Sequence, residues 1–337
     1  MSFLLGHEAV MEFLERTATQ GRPAHAYLFS GREGIGKKTA AVAFACFLNC
    51  PEPGHDPDHS CPVCRRINSG NHPDVIVEEP ERGMIRIEQI RGLQNFFRFA
   101  PVEGRYRVIV INDAHLMNRQ AQNALLKTLE EPPPGRILIL VSAKPSLLLP
   151  TVRSRCRGVR FGPIPASKLA GLLEQKRGLD TDKASTLAAI SGGSVAKALE
   201  IEKSDYLDLS RQVISILAEP GKSGIKGLLQ VSKEISRNRK TAADALDIAS
   251  GWVRDLLVQR ILSDPSQAIH RDFLDMTISR AQHHSTRTLL AVYHELMKAT
   301  DMVQADTNIN CNMVIDVALL KITRLLAGPT LGIAAAD

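Results

Sequence analysis

Short apolar runs and amphipathic stripes alternate along the first half of this chain. Ala26-Tyr27-Leu28-Phe29, Arg107-Val108-Ile109-Val110-Ile111 and Arg136-Ile137-Leu138-Ile139-Leu140-Val141-Ser142 are continuously apolar apart from their ends. That pattern belongs to strands buried on both faces of a parallel sheet. His72-Pro73-Asp74-Val75-Ile76-Val77 and Gly158-Val159-Arg160-Phe161 also read as strands. Helical spacing fills the gaps: residues 7–20 with Val10, Phe13 and Leu14 on one face, 38–50, a segment ending at Phe97 with apolar positions 87, 90, 93 and 97, and 119–131, stopped by Pro132, Pro133 and Pro134. Strand and helix in alternation predict an α/β domain on a parallel five-stranded sheet, over residues 1–163, with Pro163 and Pro165 at its boundary.

Beyond that boundary the period is helical only. Segments at 167–176 and 182–190, followed by Ser191-Gly192-Gly193-Ser194, predict a small helical lid over 164–204. Residues 205–327 predict an all-α domain, with Leu246, Ala249, Val253, Leu256 and Leu257 in one core stripe and Ile315, Leu319, Ile322 and Leu326 in another. Trp252 and the adjacent Arg254-Asp255 read as packing plus a solvated ion pair. The small-residue segment 328–337 is expected to be disordered.

The first strand runs into Gly31-Arg32-Glu33-Gly34-Ile35-Gly36-Lys37-Lys38-Thr39 and then a helix. Strand, glycine loop and helix make a phosphate cradle: loop amides converge on an anion, the helix N-terminus adds positive potential, and a lysine reaches the outer phosphates. Gly31, Gly34, Gly36 and Lys37 satisfy that layout, yet Lys38 stands where a hydroxyl should hold Mg²⁺. Thr39 is displaced by roughly 100° around the helix and does not replace it. A second departure follows at the end of the next buried strand, where Asn112 and Asp113 stand in place of an Asp-Glu pair. An amide at 112 brings no negative charge to a metal, and Asp113 is one methylene shorter than a water-aligning glutamate. Binding of ATP or ADP stays open on these residues, with Mg²⁺ doubtful.

Of six cysteines, Cys46, Cys50, Cys61 and Cys64 cluster, whereas Cys156 and Cys311 stand apart. The segment after Cys50 holds Pro51, Pro53, Gly54 and Pro57, which exclude regular structure, so something else must order it. A tetrahedral Zn²⁺ held by thiolates would do so, the alternative being a loop of reduced, unligated thiols. Cys61-x-x-Cys64 has zinc-knuckle spacing, and Cys50 supplies a third thiolate. The fourth ligand lies among His59, His55, Asp58 and Cys46, with His59 favoured as an imidazole in the same loop. The expected role is a structural Zn²⁺ in a module spanning 46–64.

The 337 residues are 44% hydrophobic with a net charge of +6, a mildly basic globular composition and a weak argument for nucleic acid. An aromatic content of 4% argues against a base-stacking surface. No apolar run approaches the ~18 residues of a membrane span, and Met1-Ser2-Phe3-Leu4-Leu5-Gly6-His7 lacks the basic and apolar regions of a secretory signal. A cytoplasmic protein without membrane contact is expected.

Five stretches together resemble the bacterial clamp-loader (AAA+) family of DNA polymerase III. They are His25 to Phe29 with the loop after it, the cysteine module ending Cys64-Arg65-Arg66-Ile67, Gly70-Asn71-His72-Pro73-Asp74, the run Asn123-Ala124-Leu125-Leu126-Lys127-Thr128-Leu129-Glu130-Glu131-Pro132, and Ser154-Arg155-Cys156. His115 falls on a histidine common in the motor subunits, which keeps the register. The resemblance implies an AAA+ sheet, a lid and a helical oligomerisation collar. It also implies that Arg155 reaches in trans to ATP on a neighbouring subunit, as a catalytic arginine finger, the competing reading being a surface salt bridge. In motor subunits the lid gives an arginine to the γ-phosphate, and Ala196 occupies that place here. Lys38, Asn112 and Ala196 therefore point to the delta-prime branch, whose own ATPase is weak or absent. The implied partners are the motor (gamma/tau) and delta subunits of a hetero-pentamer, the sliding clamp, and primed DNA through the complex. Two other readings compete. One is an ATP-hydrolysing motor subunit using Lys37 and Asp113; the other is a zinc-containing nucleic-acid-binding module, for which Arg65 and Arg66 offer few phosphate contacts.

Overall fold

The computed structural model describes residues 6–51, 61–219, 224–305 and 309–327, so the expected disorder of 328–337 lies outside the described residues. The chain divides into two compact units, residues 1–184 with 191–197, and residues 185–190 with 198–337.

The first unit is built on strands β1 (Ala26–Ser30), β2 (Val75–Glu78), β3 (Arg107–Ile111), β4 (Arg136–Ser142) and β5 (Arg157–Arg160). All pair in parallel, in the order β2-β3-β4-β1-β5. Parallel neighbours need crossovers, and these are helical: α1 (Glu8–Thr19) precedes the sheet, followed by α2 (Lys37–Asn49), α3 (Pro62–Asn68), α4 (Ile87–Arg98), α5 (Arg119–Glu130) and α6 (Pro150–Arg153). Alternation along the strands divides the core. Tyr27, Phe29, Val108, Val110, Ile137, Ile139 and Val141 pack with Phe44 and Leu14 on one face. Leu28, Ile109, Ile111, Leu138 and Leu140 pack with Ile90, Leu93 and Leu125 on the other. Each such side chain contributes roughly 1.5–3 kcal/mol when fully buried, so both helical layers are held against the sheet. The consequence for function is geometric, because the carboxyl ends of β1, β3 and β4 form one edge, where open α/β sheets take ligands.

α7 (Ala166–Arg177) ends on Gly178 in the left-handed conformation, and α8 (Thr181–Ile190) follows. A further helix, α9 (Val195–Glu202), follows Ser191-Gly192-Gly193-Ser194. Ser194 supplies the start signal, its Oγ accepting the Lys197 N–H at 3.2 Å.

The second unit contains α10 (Tyr206–Ala218), α11 (Gly224–Ile235), α12 (Arg239–Leu262), α13 (Leu274–His283), α14 (Thr286–Gln304) and α15 (Cys311–Ala327). Leu246, Ala249, Val253 and Leu256 are buried as their stripe requires, and so are Ile315, Leu319, Ile322 and Leu326. Trp252 is buried and donates through Nε1 to Thr277 Oγ1 at 3.1 Å. The ion pair expected at Arg254-Asp255 forms, with Arg254 Nη1 2.9 Å from Asp255 Oδ1, but only the arginine is solvated. Asp255 is fully buried and accepts the N–H groups of Ile269 and His270 at 2.9 and 2.8 Å, along with His270 Nδ1 at 3.1 Å. The segment after α12 folds back onto this carboxylate, a long-range event that local helical spacing does not encode.

Candidate functional site

Gly31 follows β1 directly, and Gly36 caps α2 in the left-handed region at φ +96°, with no atom within 4 Å of where a Cβ would stand. Gly34 is also left-handed at φ +73°, and a Cβ there would meet Ser194 Oγ at 2.3 Å. Only glycine accommodates both the backbone angle and that close approach. The Gly34 carbonyl accepts the Ala196 N–H at 3.3 Å. Ala196, the residue at the expected lid-arginine position, thus meets the loop through its backbone. Among the described residues, the N–H groups of Arg32, Glu33, Gly34 and Gly36 have no hydrogen-bond acceptor. They are available to an anion, as the glycine pattern predicts. His7, not anticipated from the sequence, pins the loop from below through Nε2 and the Ile35 carbonyl at 2.7 Å.

Lys37 is 6% exposed, and its Nζ donates to the Arg32 carbonyl at 2.5 Å. Burial lowers its pKa, opposed by the charges of Asp113 and Glu33. A phosphate would reverse that shift by pairing with the ammonium. Thr39 is exposed on α2.

Lys38 and Asn112, the two departures from a metal-binding loop, are joined through a residue that sequence reasoning missed. Lys38 Nζ pairs with Glu79 Oε1 at 2.6 Å, and Glu79 Oε2 accepts from Asn112 Nδ2 at 2.9 Å. The same amide donates to Asp113 Oδ2 at 3.2 Å. Asp113 itself is left-handed at φ +45°, turning the chain sharply as β3 ends. Glu79 lies just past β2, and its position beside β3 in the sheet is the only clue that could have found it. A Mg²⁺ site wants carboxylate and hydroxyl oxygens. Here an ammonium and an amide N–H face Glu79, so the donor set does not fit the metal.

Arg155 lies on the first unit, away from the core. Its Nη2 pairs with Glu130 Oε1 at 2.9 Å and its Nη1 donates to the Thr151 carbonyl at 3.0 Å. Cys156, next in sequence, packs against the core beside α4 and α5, and burial pushes its thiol up to about 12. The inert thiol anchors the turn while the guanidinium stays accessible. Glu130 stands in the quoted run before the prolines, but nothing local announced its pairing with Arg155.

Cys50, Cys61 and Cys64 converge, with all three Sγ atoms within 4.8 Å of one another. The Cys50–Cys61 sulfur separation is 3.8 Å, close to the ~3.8 Å that two 2.3 Å Zn–S bonds give at a tetrahedral angle. Desolvation pushes the Cys61 thiol up but hydrogen bonds, led by the Cys64 N–H, outweigh it and hold the group below its ordinary value. Burial drives Cys64 upward, with Cys46 among the nearby groups. The trio fits a soft cation. Cys46 Sγ reaches the Cys64 carbonyl at 3.9 Å, whereas His59, His55 and Asp58 lie outside the described residues.

Asp74, in the quoted Gly70 to Asp74 stretch, is a structural clamp. Its buried carboxylate accepts the N–H groups of Val102, Glu103 and Gly104, each at 2.8 Å, and Arg107 Nε at 3.1 Å. No helix among the described residues is long and apolar enough to cross a membrane.

A family model described as "DNA polymerase III, delta subunit" matches residues 6–165. The DNA polymerase III subunit delta' of Bacillus subtilis (strain 168) is 36% identical over 211 residues, covering 62% of this chain and 63% of the relative. Subunit delta' of Escherichia coli (strain K12) is 28% identical over 91% of both chains. Subunit tau of Bacillus subtilis is 30% identical over 77% of this chain and 42% of its own length. The chain thus spans less than two thirds of the first of these relatives and of tau. Among solved structures, a gamma subunit-related protein of Thermotoga maritima aligns over 94% of this chain and 99% of that one, at 16% identity and a TM-score of 0.42.

Proposed function

This chain belongs to the bacterial DNA polymerase III clamp-loader family, and from that membership we propose that it acts as the delta-prime-type subunit of a multi-subunit loader. In this reading it assembles with motor (gamma/tau) and delta subunits into a hetero-pentamer that places a sliding clamp on primed DNA. Its own ATP site is weak or silent, and Arg155 completes the site of a neighbour.

The observation carrying this reading is the contrast between two places. The pocket at the sheet edge has lost its metal donors at Lys38 and Asn112, while Arg155 stays accessible with only an exposed carboxylate and one carbonyl as partners. An exposed ion pair of this kind is worth about 0.2–1 kcal/mol, so leaving Glu130 for a phosphate costs little. The guanidinium fork suits phosphate oxygens and never loses its charge. In other phosphoryl-transfer enzymes a trans arginine accelerates the reaction by ~10³–10⁵.

In a loader reconstituted with motor and delta subunits, clamp- and primer-dependent ATP turnover at one site should fall by about three orders of magnitude with Arg155→Ala. Unchanged turnover in an intact assembly would remove the proposal. Lys37 and Asp113 favour the alternative of a motor subunit. Brisk hydrolysis by this chain alone, abolished by Lys37→Ala, would decide for it. Cys50, Cys61 and Cys64, with His59 as the proposed fourth ligand, hold a structural Zn²⁺ in the same reading.

A further inference from the structure

The loop between β1 and α2 keeps its amides and Lys37 for phosphate, while Lys38 and Asn112 stand in place of the two groups that would bind the accompanying metal. Free amides at Arg32, Glu33, Gly34 and Gly36 and the buried ammonium of Lys37 remain. At the metal position the change is one of charge. A hydroxyl is replaced by the Lys38 ammonium and a carboxylate by the Asn112 amide. Each exchange makes the protein more positive by one unit, and together they match the charge a divalent cation would have brought. The chain Lys38–Glu79–Asn112, with links of 2.6 and 2.9 Å, tethers this built-in cation between α2 and the ends of β2 and β3. Lys38 and Glu79 side chains are 51% and 46% exposed, so their pair is weakly held and the ammonium can turn to an anion without breaking a core contact.

We propose that this pocket binds a nucleoside polyphosphate without a divalent metal, the Lys38 ammonium standing in for Mg²⁺ on the phosphates. The claim concerns this chain's own loop and holds or fails independently of the role given to Arg155.

Binding of ATP to the full chain, followed by titration calorimetry in excess Mg²⁺ and again in EDTA, tests it. The dissociation constants should agree within about twofold. Lys38→Ala should weaken metal-free binding at least tenfold. Glu79→Gln, which releases the ammonium, should retain it. The double variant Lys38→Thr/Asn112→Asp should bind at least tenfold more tightly with Mg²⁺ than in EDTA. Circular-dichroism melting verifies that each variant is folded, which the exposure of the Lys38 and Glu79 side chains favours. Wild-type binding that depends tenfold on Mg²⁺, no ATP binding under either condition, or full metal-free affinity in a folded Lys38→Ala would each overturn the proposal. Loss of Arg155 function in the assembled loader would leave these results untouched.

Discussion

Asp74 shows how much one buried carboxylate can organise. It satisfies three consecutive backbone N–H groups and the flanking Arg107, whose side chain is 7% exposed. Removing one partner of a buried pair leaves the other uncompensated, at a cost of about 3–5 kcal/mol. Asp74→Ala should therefore lower urea-denaturation stability by that amount at neutral pH. Burial raises the Asp74 pKa, but the hydrogen bonds of Gly104, Glu103, Val102 and Arg107 outweigh it and hold the group below its ordinary value. A depressed native pKa means the stabilisation is fully present above the unfolded value, about 3.9, and is lost as pH falls through the native one. The gap between wild type and Asp74→Ala should narrow below about pH 4, and denaturation midpoints across that range check it. The His72-Pro73-Asp74 motif was visible in the sequence, but its loop partners at 102–104 were not, since local spacing says nothing about where a later loop will lie.

At the scale of elements, the strands and helices of the first unit were readable because each answers to a local rule. Two-sided burial writes continuous apolar runs for β1, β3 and β4, and three prolines follow the end of α5 at Glu130. Glycine at 34 also answers to distant structure, since its missing Cβ leaves room for Ser194. Gly34→Ala should strain the backbone and overpack this contact, costing about 1–3 kcal/mol, measurable as a lower melting temperature. The cysteine module is legible for the same local reason, its knuckle spacing placing Cys61 and Cys64 at the start of α3. If the trio holds zinc, the purified chain should contain one equivalent by metal analysis. Cys64→Ser should lose the metal and melt earlier, because binding energy at such a site is folding energy.

For the whole molecule, the second unit offers a surface suited to assembly. Met313, Val317 and Leu320 recur at helical spacing along α15 and are 66%, 44% and 37% exposed. Apolar side chains so aligned are commonly covered by a partner, which supports the collar role proposed for residues 205–327. Val317→Glu should leave the melting temperature of the isolated chain unchanged and reduce co-purification with motor and delta subunits. Normal co-purification would move the interface elsewhere.

The amino-acid order alone determined the parallel α/β sheet, the glycine loop after β1 with Lys38 behind it, the Asn112 that ends β3, and the cysteine trio. Each depends on residues close along the chain, whose periodicity, glycine content or ligand spacing follows from backbone geometry. Only the tertiary structure decided that Glu79 joins Lys38 to Asn112, that Glu130 holds Arg155, and that Asp255 is buried under a returning segment. Those pairings arise when strand order and packing bring distant carboxylates to particular cations and amides, and no local pattern records which ones will meet.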